Sequence, residues 1–356
     1  MRTVILTLLL LFVLSAPSAA GELEALEQAL PEDAAHILRK VEPDSVDVKT
    51  GFSALWDAFC SGLREHLQES VRSAFLIATL CLLLSMVQSF SKTAGIALPE
   101  RIVELTGATG VLLLAVEDSG TLIRHCARTV DLLDRFTKTL TTVFAVASAA
   151  AGRPASAVAS AGATMLFSDV LFSLTRSLFL PGVTWFLLLQ YLGVVSGNSA
   201  FRQAAATEKW GITCFFKLSL TAFFVYLSFT GLVTGSADAA AVKTAQGLSG
   251  TVPLVGSVIS GASETILAGA SLLRSGVGLF GFLGVVAICL TPLLAGICHF
   301  LVFKVLAIFS ASFAEGGTKT MLEALSGAYS MLIGILTGCC AVQFLAIVVS
   351  MTVTAI

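Results

Sequence analysis

The stretch VGLFGFLGVVAICLTPLLAGICHFLVFKVLAIF, residues 277–309, decides the fold class, because it carries a single charged residue, Lys304. A helix needs about 20 predominantly apolar residues to cross the hydrocarbon core of a bilayer. This run is longer than one crossing. It predicts either two tight spans hinged near Thr291 and Pro292 or one long kinked helix.

Further apolar runs extend this interpretation to the whole chain, in which 56% of the 356 residues are hydrophobic and 12% are charged. An average soluble domain has about 25% charged residues. We therefore predict an all-α fold, a polytopic transmembrane helical bundle with about six to eight spans in a membrane domain at 73–356. The predicted spans and half-spans lie at 74–90, 102–116, 140–174, 178–197, 212–234, 277–309 and 329–353. The net charge of −2 gives no electrostatic reason to expect nucleic-acid binding.

The N-terminus has the features of a secretory signal peptide at 1–20. Arg2 precedes an apolar run at 4–14, and the small residues of APSAA at 16–20 favour cleavage before Gly21. An uncleaved anchor helix is the alternative. In both cases residues 21–72 are expected outside the cytoplasm.

Residues 21–72 differ from the rest of the chain in composition, with eleven acidic and five basic residues. Leucines and aromatic residues recur at helical spacing on both sides of VEPDSVDVKTG, residues 41–51, which predicts two short amphipathic helices. About 50 residues bury too little surface for a catalytic domain. We predict a small, exported, acidic helical cap that packs on the membrane domain.

Two segments of the membrane domain depart from the pattern of simple spans. At 117–138 the residues Leu122, Cys126, Val130, Leu133 and Phe136 form an apolar helical face opposite charged residues, which predicts an interfacial or protein-covered amphipathic helix. At 152–154, Gly-Arg-Pro is predicted to break the 140–174 run into two half-hydrophobic helices.

The segment SGTVPLVGSVISGASETILAGASLLRSG, residues 249–276, is too polar for an ordinary span and too apolar for a solvated loop. On a helix, Ser257, Gly261, Thr265 and Gly269 share one face, and small residues allow membrane helices to approach closely. The pattern predicts a helix-packing surface or a conduit lining, with the segment shielded by protein, re-entrant or facing water. A loose interfacial helix is the alternative.

Ionisable residues within apolar segments point to a further set of candidates, since an unpaired charge in lipid is costly. Lys217 and Lys304 are long enough to reach the membrane interface. Asp169 and Glu264 are shorter and are predicted to face protein or water, and Glu104 and Arg274 belong to the same set of ionisable residues. The candidate packing or conduit-lining residues are Ser257, Gly261, Glu264, Thr265, Gly269, Arg274 and Asp169.

Catalytic and metal-binding patterns are not evident in the sequence. His299 lies in an apolar helix and is predicted to be packed or hydrogen-bonded, and the neighbours His125 and Cys126 would point about 100° apart on a helix. The eight cysteines show no metal-ligand spacing, and no nucleotide, hydrolase or zinc-protease motif occurs. We predict no catalytic residues, no cofactor and no metal.

The block at 252–294, VPLVGSVISGASETILAGASLLRSGVGLFGFLGVVAICLTPLL, resembles the stage III sporulation protein AE family. Its most specific features are the Val-Pro start, Glu264, LLRSGVG and the Thr-Pro turn. The order of signal peptide, acidic cap and small-residue-rich spans extends the resemblance over essentially the whole chain.

The resemblance implies a non-enzymatic, multi-pass membrane component of the channel, a secretion-like apparatus between mother cell and forespore. That complex supports forespore maintenance and late forespore gene expression in endospore-forming Firmicutes. Implied partners are membrane lipid, the other stage III sporulation A proteins (the ATPase AA, the ring-forming AG and AH, and small membrane subunits) and, indirectly, stage II sporulation protein Q. The implied location is the mother-cell membrane around the forespore, with the cap in the intermembrane space. The residues leave one alternative, a self-sufficient small-molecule permease using broken helices at 152–154 and 249–276.

Overall fold

The computed structural model describes Ala34 and residues 48–94, 99–150, 154–229, 276–310 and 316–355. Within these residues the chain is helical almost throughout and contains no strand, so the predicted all-α fold is confirmed for this part. The helices are α1 (Val48–Ala94), α2 (Glu100–Ala150), α3 (Pro154–Leu174), α4 (Leu180–Ser196), α5 (Ser199–Phe229), α6 (Gly276–Ser310) and α7 (Gly317–Ala355), with a π-helical turn (Thr175–Phe179) joining α3 to α4.

Four stretches of the described helices are long and apolar enough to cross a membrane: Phe52–Ser91, Thr164–Ser196, Gly278–Ser310 and Gly317–Val348. They support a helical membrane protein. The predicted span at 212–234 lies on α5 as far as Phe229 and then leaves the described residues, so the total of six to eight spans stays a prediction. The predicted signal peptide at 1–20 and most of the first cap helix also lie outside the described residues.

Helix α7 is the centre of the bundle. It packs along α6 and α2 and also contacts α3, α4 and α5. Its side chains Leu322, Tyr329, Cys339 and Val342 are almost completely buried. Helix α1 lies outside α6 and α2, whereas α5 packs chiefly against α4. The core is therefore one continuous set of buried apolar side chains around α7.

The run at 277–309 forms one helix, α6, with Pro292 inside it. Of the two predicted alternatives, the single long helix is therefore correct. Proline removes one backbone hydrogen-bond donor from a helix and disturbs the preceding turn. Packing of α6 along α7 and α1 holds the two sides of this position together, and Leu294, two positions beyond it, is buried.

Two predicted boundaries fall inside continuous helices. Helix α1 joins the second cap helix to the first span, and α2 joins the segments 102–116 and 117–138. The five predicted face residues of 117–138 are at most 4% exposed, which fits the protein-covered alternative: Leu122, Cys126, Val130, Leu133 and Phe136. Helix α2 ends at Ala150 and α3 begins at Pro154, where the fixed φ of proline suits the first helical position.

Glycines mark the closest approaches between helices. An added Cβ at Gly107 on α2 would collide with Thr318 on α7, and one at Gly110 would collide with Leu80 on α1. At Gly296 on α6 it would come within 3.0 Å of Ile333 on α7. Since packing at short range holds membrane helices together, these glycines serve the role that the sequence predicts for the glycines of 249–276.

Candidate functional site: an ion-pair cluster between α2 and α3

Five charged side chains meet where α2 passes the junction of α3 and α4. Asp131, Asp134 and Lys138 lie on one face of α2, because residues three, four and seven positions apart share a helical face. Asp169 on α3 and Arg176 in the π-helical turn approach them from the neighbouring helix. The arrangement is called the ionic cluster below.

Each cation of the ionic cluster contacts two carboxylates. Lys138 Nζ lies 2.6 Å from Asp169 Oδ1 and 3.2 Å from Asp134 Oδ1. The Arg176 guanidinium donates through Nη1 to Asp131 Oδ1 and lies 3.5 Å, through Nη2, from Asp134 Oδ2. Asp134 therefore joins the two cations, and three carboxylates against two cations leave one excess negative charge.

Burial within the ionic cluster is uneven. The Asp134 side chain is 10% exposed, whereas those of Lys138 and Asp169 are 46% and 51% exposed. A buried carboxylate is costly unless it is paired, so the two cations are needed chiefly by Asp134. The hydrogen bond to Asp169, with a further contribution from Asp134, raises the pKa of Lys138 and keeps this cation charged.

The π-helical turn places Arg176 towards α2. Arg176 Nε donates to the Phe172 carbonyl at 3.3 Å, and Thr175 Oγ1 donates to the Leu171 carbonyl at 2.8 Å. Thr175 also lies 3.6 Å from Cys339 Sγ on α7. Such wide turns inside α-helices occur frequently at functional sites, and here the turn ties α3 to both α2 and α7.

Asp169 is the one candidate site residue within the described residues; it pairs with Lys138, and its side chain is half exposed at the surface of the bundle. The candidates Ser257, Gly261, Glu264, Thr265, Gly269 and Arg274 lie outside the described residues, so their role stays a prediction. Sequence reasoning missed Asp131, Asp134, Lys138 and Arg176 as partners of Asp169. The spacing of Asp134 and Lys138 was a usable signal, but nothing in the sequence pairs α2 with α3.

A second group of polar side chains crosses the bundle and is called the polar layer. It consists of Ser70 on α1, His299 on α6, Tyr329 on α7 and Ser119 on α2, each at most 5% exposed. His299 Nδ1 lies 2.8 Å from the Ala295 carbonyl, which can only accept, so this nitrogen carries the proton. The same nitrogen lies 3.0 Å from Ser70 Oγ.

Tyr329 completes the polar layer. Its ring packs against His299 with centroids 5.3 Å apart, and its hydroxyl lies 3.1 Å from Ser119 Oγ. The prediction that His299 is packed and hydrogen-bonded is confirmed. Because buried polar groups are stable only when hydrogen-bonded, these contacts hold α1, α2, α6 and α7 at one relative height.

Opposite charges lie at two neighbouring helix ends. The Glu104 carboxylate lies against Gly316 and Gly317 at the start of α7, and Arg101 Nη2 donates to the Val195 carbonyl at 3.3 Å at the end of α4. Anions are favourable at helix N-termini and cations at C-termini. Glu104 lies in an apolar stretch of sequence, but in the fold its carboxylate is beside the N-terminus of α7, which carries a partial positive charge.

The described groups offer little for covalent chemistry. His125 is exposed whereas Cys126 is buried, and burial raises the pKa of the Cys126 thiol to about 12. Hence the thiolate that a nucleophile requires is not formed near neutral pH. Among the described residues, no group of three or more His, Cys, Asp or Glu side chains could hold a metal ion. The ionic cluster and the polar layer connect helices.

Comparison with protein families gives one match that covers nearly the whole chain. The family model of stage III sporulation protein AE matches residues 34–354. Comparison with curated proteins and with solved structures gives no significant match.

Proposed function

This chain belongs to the stage III sporulation protein AE family, and on that premise we propose that it is a non-enzymatic subunit of a membrane channel complex required for sporulation. The family match over residues 34–354 is the observation that carries the proposal. The four apolar stretches fit a sporulation protein that is embedded in a membrane. The role in a channel is what we propose in addition to the family and the membrane location.

The proposed partners are the other stage III sporulation A proteins: the ATPase AA, the ring-forming AG and AH, and the small membrane subunits. Contact with stage II sporulation protein Q is indirect in this proposal. The proposed location is the mother-cell membrane around the forespore, with the N-terminal cap towards the intermembrane space. As part of this complex, the protein supports forespore maintenance and late forespore gene expression.

The bundle supports a structural role in such an assembly. The ionic cluster and the polar layer both join different helices, and Gly107, Gly110 and Gly296 allow close helix packing. We propose that Gly261 and Gly269 act in the same way within 249–276, either against a partner helix or along the conduit. Leucine at these positions would prevent a second helix from approaching.

The test replaces Gly261 or Gly269 with leucine in sporulating cells and measures co-purification of the partner subunits. We expect normal membrane insertion with loss of co-purification. Gly211→Leu on α5 is the matched control, because an added Cβ at Gly211 meets no atom within 4 Å. Normal co-purification of both Gly261→Leu and Gly269→Leu would contradict the proposal.

A further inference from the structure

The exposed side of α1 changes polarity at one position. Before Ser73 its exposed side chains are a mixture in which polar and charged residues predominate. The exposed apolar residues there are Phe52, Trp56, Leu67 and Val71, and the charged or polar ones include Asp57, Arg64, Glu65, Gln68 and Arg72. After Ser73 the large exposed side chains are apolar: Phe75, Leu76, Leu83, Met86 and Phe90. The helix itself continues without a break from Val48 to Ala94.

Helix α2 has the same change of polarity in the opposite chain direction. Beyond Arg101 in its first turn and up to Val116, its large exposed side chains are apolar: Ile102, Leu113, Leu114 and Val116. From Glu117 onward the exposed side chains are predominantly charged or ionisable: Glu117, Arg124, His125, Arg128 and Arg135. The predicted boundary between 102–116 and 117–138 is therefore a change of surroundings within one helix.

Helix α6 changes from buried to exposed along its length. Phe280, Leu283 and Ile288 in its first half are covered by protein. Near its end Leu301, Val305 and Ile308 are exposed, together with Lys304. The apolar side chains of its first half thus pack in the protein core, and those of its second half face the exterior of the bundle.

The three changes occur at one height in the bundle, which is the height of the polar layer. Ser70 lies just before the change on α1 and is 3.0 Å from His299 Nδ1, just before the exposed end of α6. Ser119 lies just after the change on α2 and is bonded to Tyr329, which packs on His299. On the apolar side, Leu80 of α1 meets Gly110 of α2, so the two apolar bands lie side by side.

We propose that the surface of the bilayer crosses this side of the bundle at the polar layer. Lipid then covers the second half of α1, the first part of α2 and the end of α6. The other parts of α1 and α2 project into water and present a charged surface.

The length of the apolar band and the energetic cost of charges in lipid support this position of the bilayer surface. The apolar band of α1 from Ser73 to Phe90 is about 27 Å long at a rise of roughly 1.5 Å per residue, close to the ~30 Å of a hydrocarbon core. A charged residue at the centre of a membrane helix costs about 2.5 kcal/mol or more. The charged row of Arg124, Arg128 and Arg135 would carry this cost several times over if lipid covered it.

Helix α5, beyond α4 and α7, has a different distribution of polar and apolar residues along its length. It runs antiparallel to α4, with Arg202 against Gly193 and Ile212 against Gly182. Its exposed residues are polar near its start, at Arg202 and Gln203, and apolar later, at Phe215 and Leu218. The apolar band of α5 is thus displaced along the axis relative to the bands of α1 and α2, and the proposed boundary concerns the side of the bundle that α1, α2 and α6 form.

The proposed boundary follows from the polarity of the helices and does not depend on any role in sporulation. It places the basic residues of α2 on the same side of the membrane as the N-terminal half of α1. It also explains why the apolar run of α6 exceeds one crossing, since its first half is covered by protein.

Spin labels on the full-length protein in phosphatidylethanolamine–phosphatidylglycerol vesicles test the boundary. Single cysteines replace Glu65 or Gln68, Leu76 or Leu83, and Leu113 or Arg128, on a background in which the exposed Cys60 and Cys214 are alanine. Collision with oxygen reports lipid, and collision with a water-soluble nickel chelate reports water. Each half of α1 has two labelled positions, so that the accessibility of that half can still be measured if one variant fails to fold.

We expect several-fold greater nickel access at residues 65, 68 and 128 than at 76, 83 and 113, with the opposite order for oxygen. Oxygen-dominated collisions at 65, 68 and 128 would overturn the proposal, as would nickel access at 76, 83 and 113. Low access of both reagents at 65, 68 and 128 would also overturn it, because protein and not water would then cover this surface.

Discussion

Lys138 on α2 and Asp169 on α3 hold their charged atoms 2.6 Å apart, yet both side chains remain about half exposed. Exposed ion pairs contribute at most about 1 kcal/mol, because water and salt screen them. The shortest of the Lys138 contacts is therefore not the one on which stability depends most. Asp134, at 10% exposure, shares both cations of the cluster and is the less replaceable carboxylate.

Replacing Asp134 with asparagine is expected to lower the free energy of unfolding by about 2 kcal/mol, since a buried charged hydrogen-bond acceptor is lost. Asp169→Asn, the matched control, is expected to cost less than about 1 kcal/mol. Unfolding in mixed micelles with increasing sodium dodecyl sulfate measures both values. Equal losses for the two variants would show that burial does not rank the two carboxylates.

Tyr329→Phe removes the hydroxyl that contacts Ser119 in the polar layer. We expect a loss of about 1–2 kcal/mol of unfolding free energy, because a buried serine hydroxyl loses its partner. Tyr191→Phe is the control: its hydroxyl lies 3.2 Å from Thr109 Oγ1 at a partly buried position, and a threonine hydroxyl in a helix can instead donate to the carbonyl one turn earlier in its own helix. A greater loss for Tyr191→Phe in the same unfolding measurement would be inconsistent with this ranking.

Gly107→Ala tests close packing between α2 and α7. The added methyl would collide with Thr318, whose branched side chain has little freedom to move, so we expect a loss of about 1–3 kcal/mol from overpacking. Gly211→Ala, in open space on α5, should instead stabilise the helix by about 0.5–1 kcal/mol. Thermal unfolding of the two variants in detergent should therefore shift in opposite directions, and a shared direction would argue against the close contact.

Glu104→Gln removes the negative charge beside the start of α7. A loss of about 0.5–1 kcal/mol is expected from the interaction with the helix dipole, and the loss should shrink as salt concentration rises. Glu117→Gln, at an exposed position inside α2, supplies the control and should have almost no effect. Denaturant unfolding at low and high salt measures both; a salt-independent loss at Glu104 would point to packing instead of charge.

Sequence reasoning succeeded where a pattern within one segment was sufficient. The apolar face of 117–138 followed from helical spacing, and all five of its residues are buried. The Gly-Arg-Pro signal at 152–154 agrees with the start of α3 at Pro154, while Gly152 and Arg153 lie outside the described residues. These outcomes depend on local periodicity and on the conformational limits of proline.

The remaining features depend on which helices are neighbours. The ionic cluster requires α2 and α3 to lie side by side, and the polar layer requires Ser70 to meet His299 across 229 positions of sequence. The spacing of Asp169 and Arg176 gives no indication of the carboxylates on α2. Continuity of α1 was also missed, because its change from polar to apolar surroundings resembles a domain boundary when only composition is considered.

The π-helical turn at Thr175–Phe179 has a consequence for the helices on either side of it. One extra residue in a turn shifts the angular phase of everything that follows by about 100°. Helix α3 packs mainly against α2, whereas α4 packs mainly against α5. The two joined helices therefore have their contact faces in different directions around the common axis. Deleting one residue within the turn would align the two contact faces on one side of the joined helices. Either the contact of α3 with α2 or the contact of α4 with α5 would then be lost.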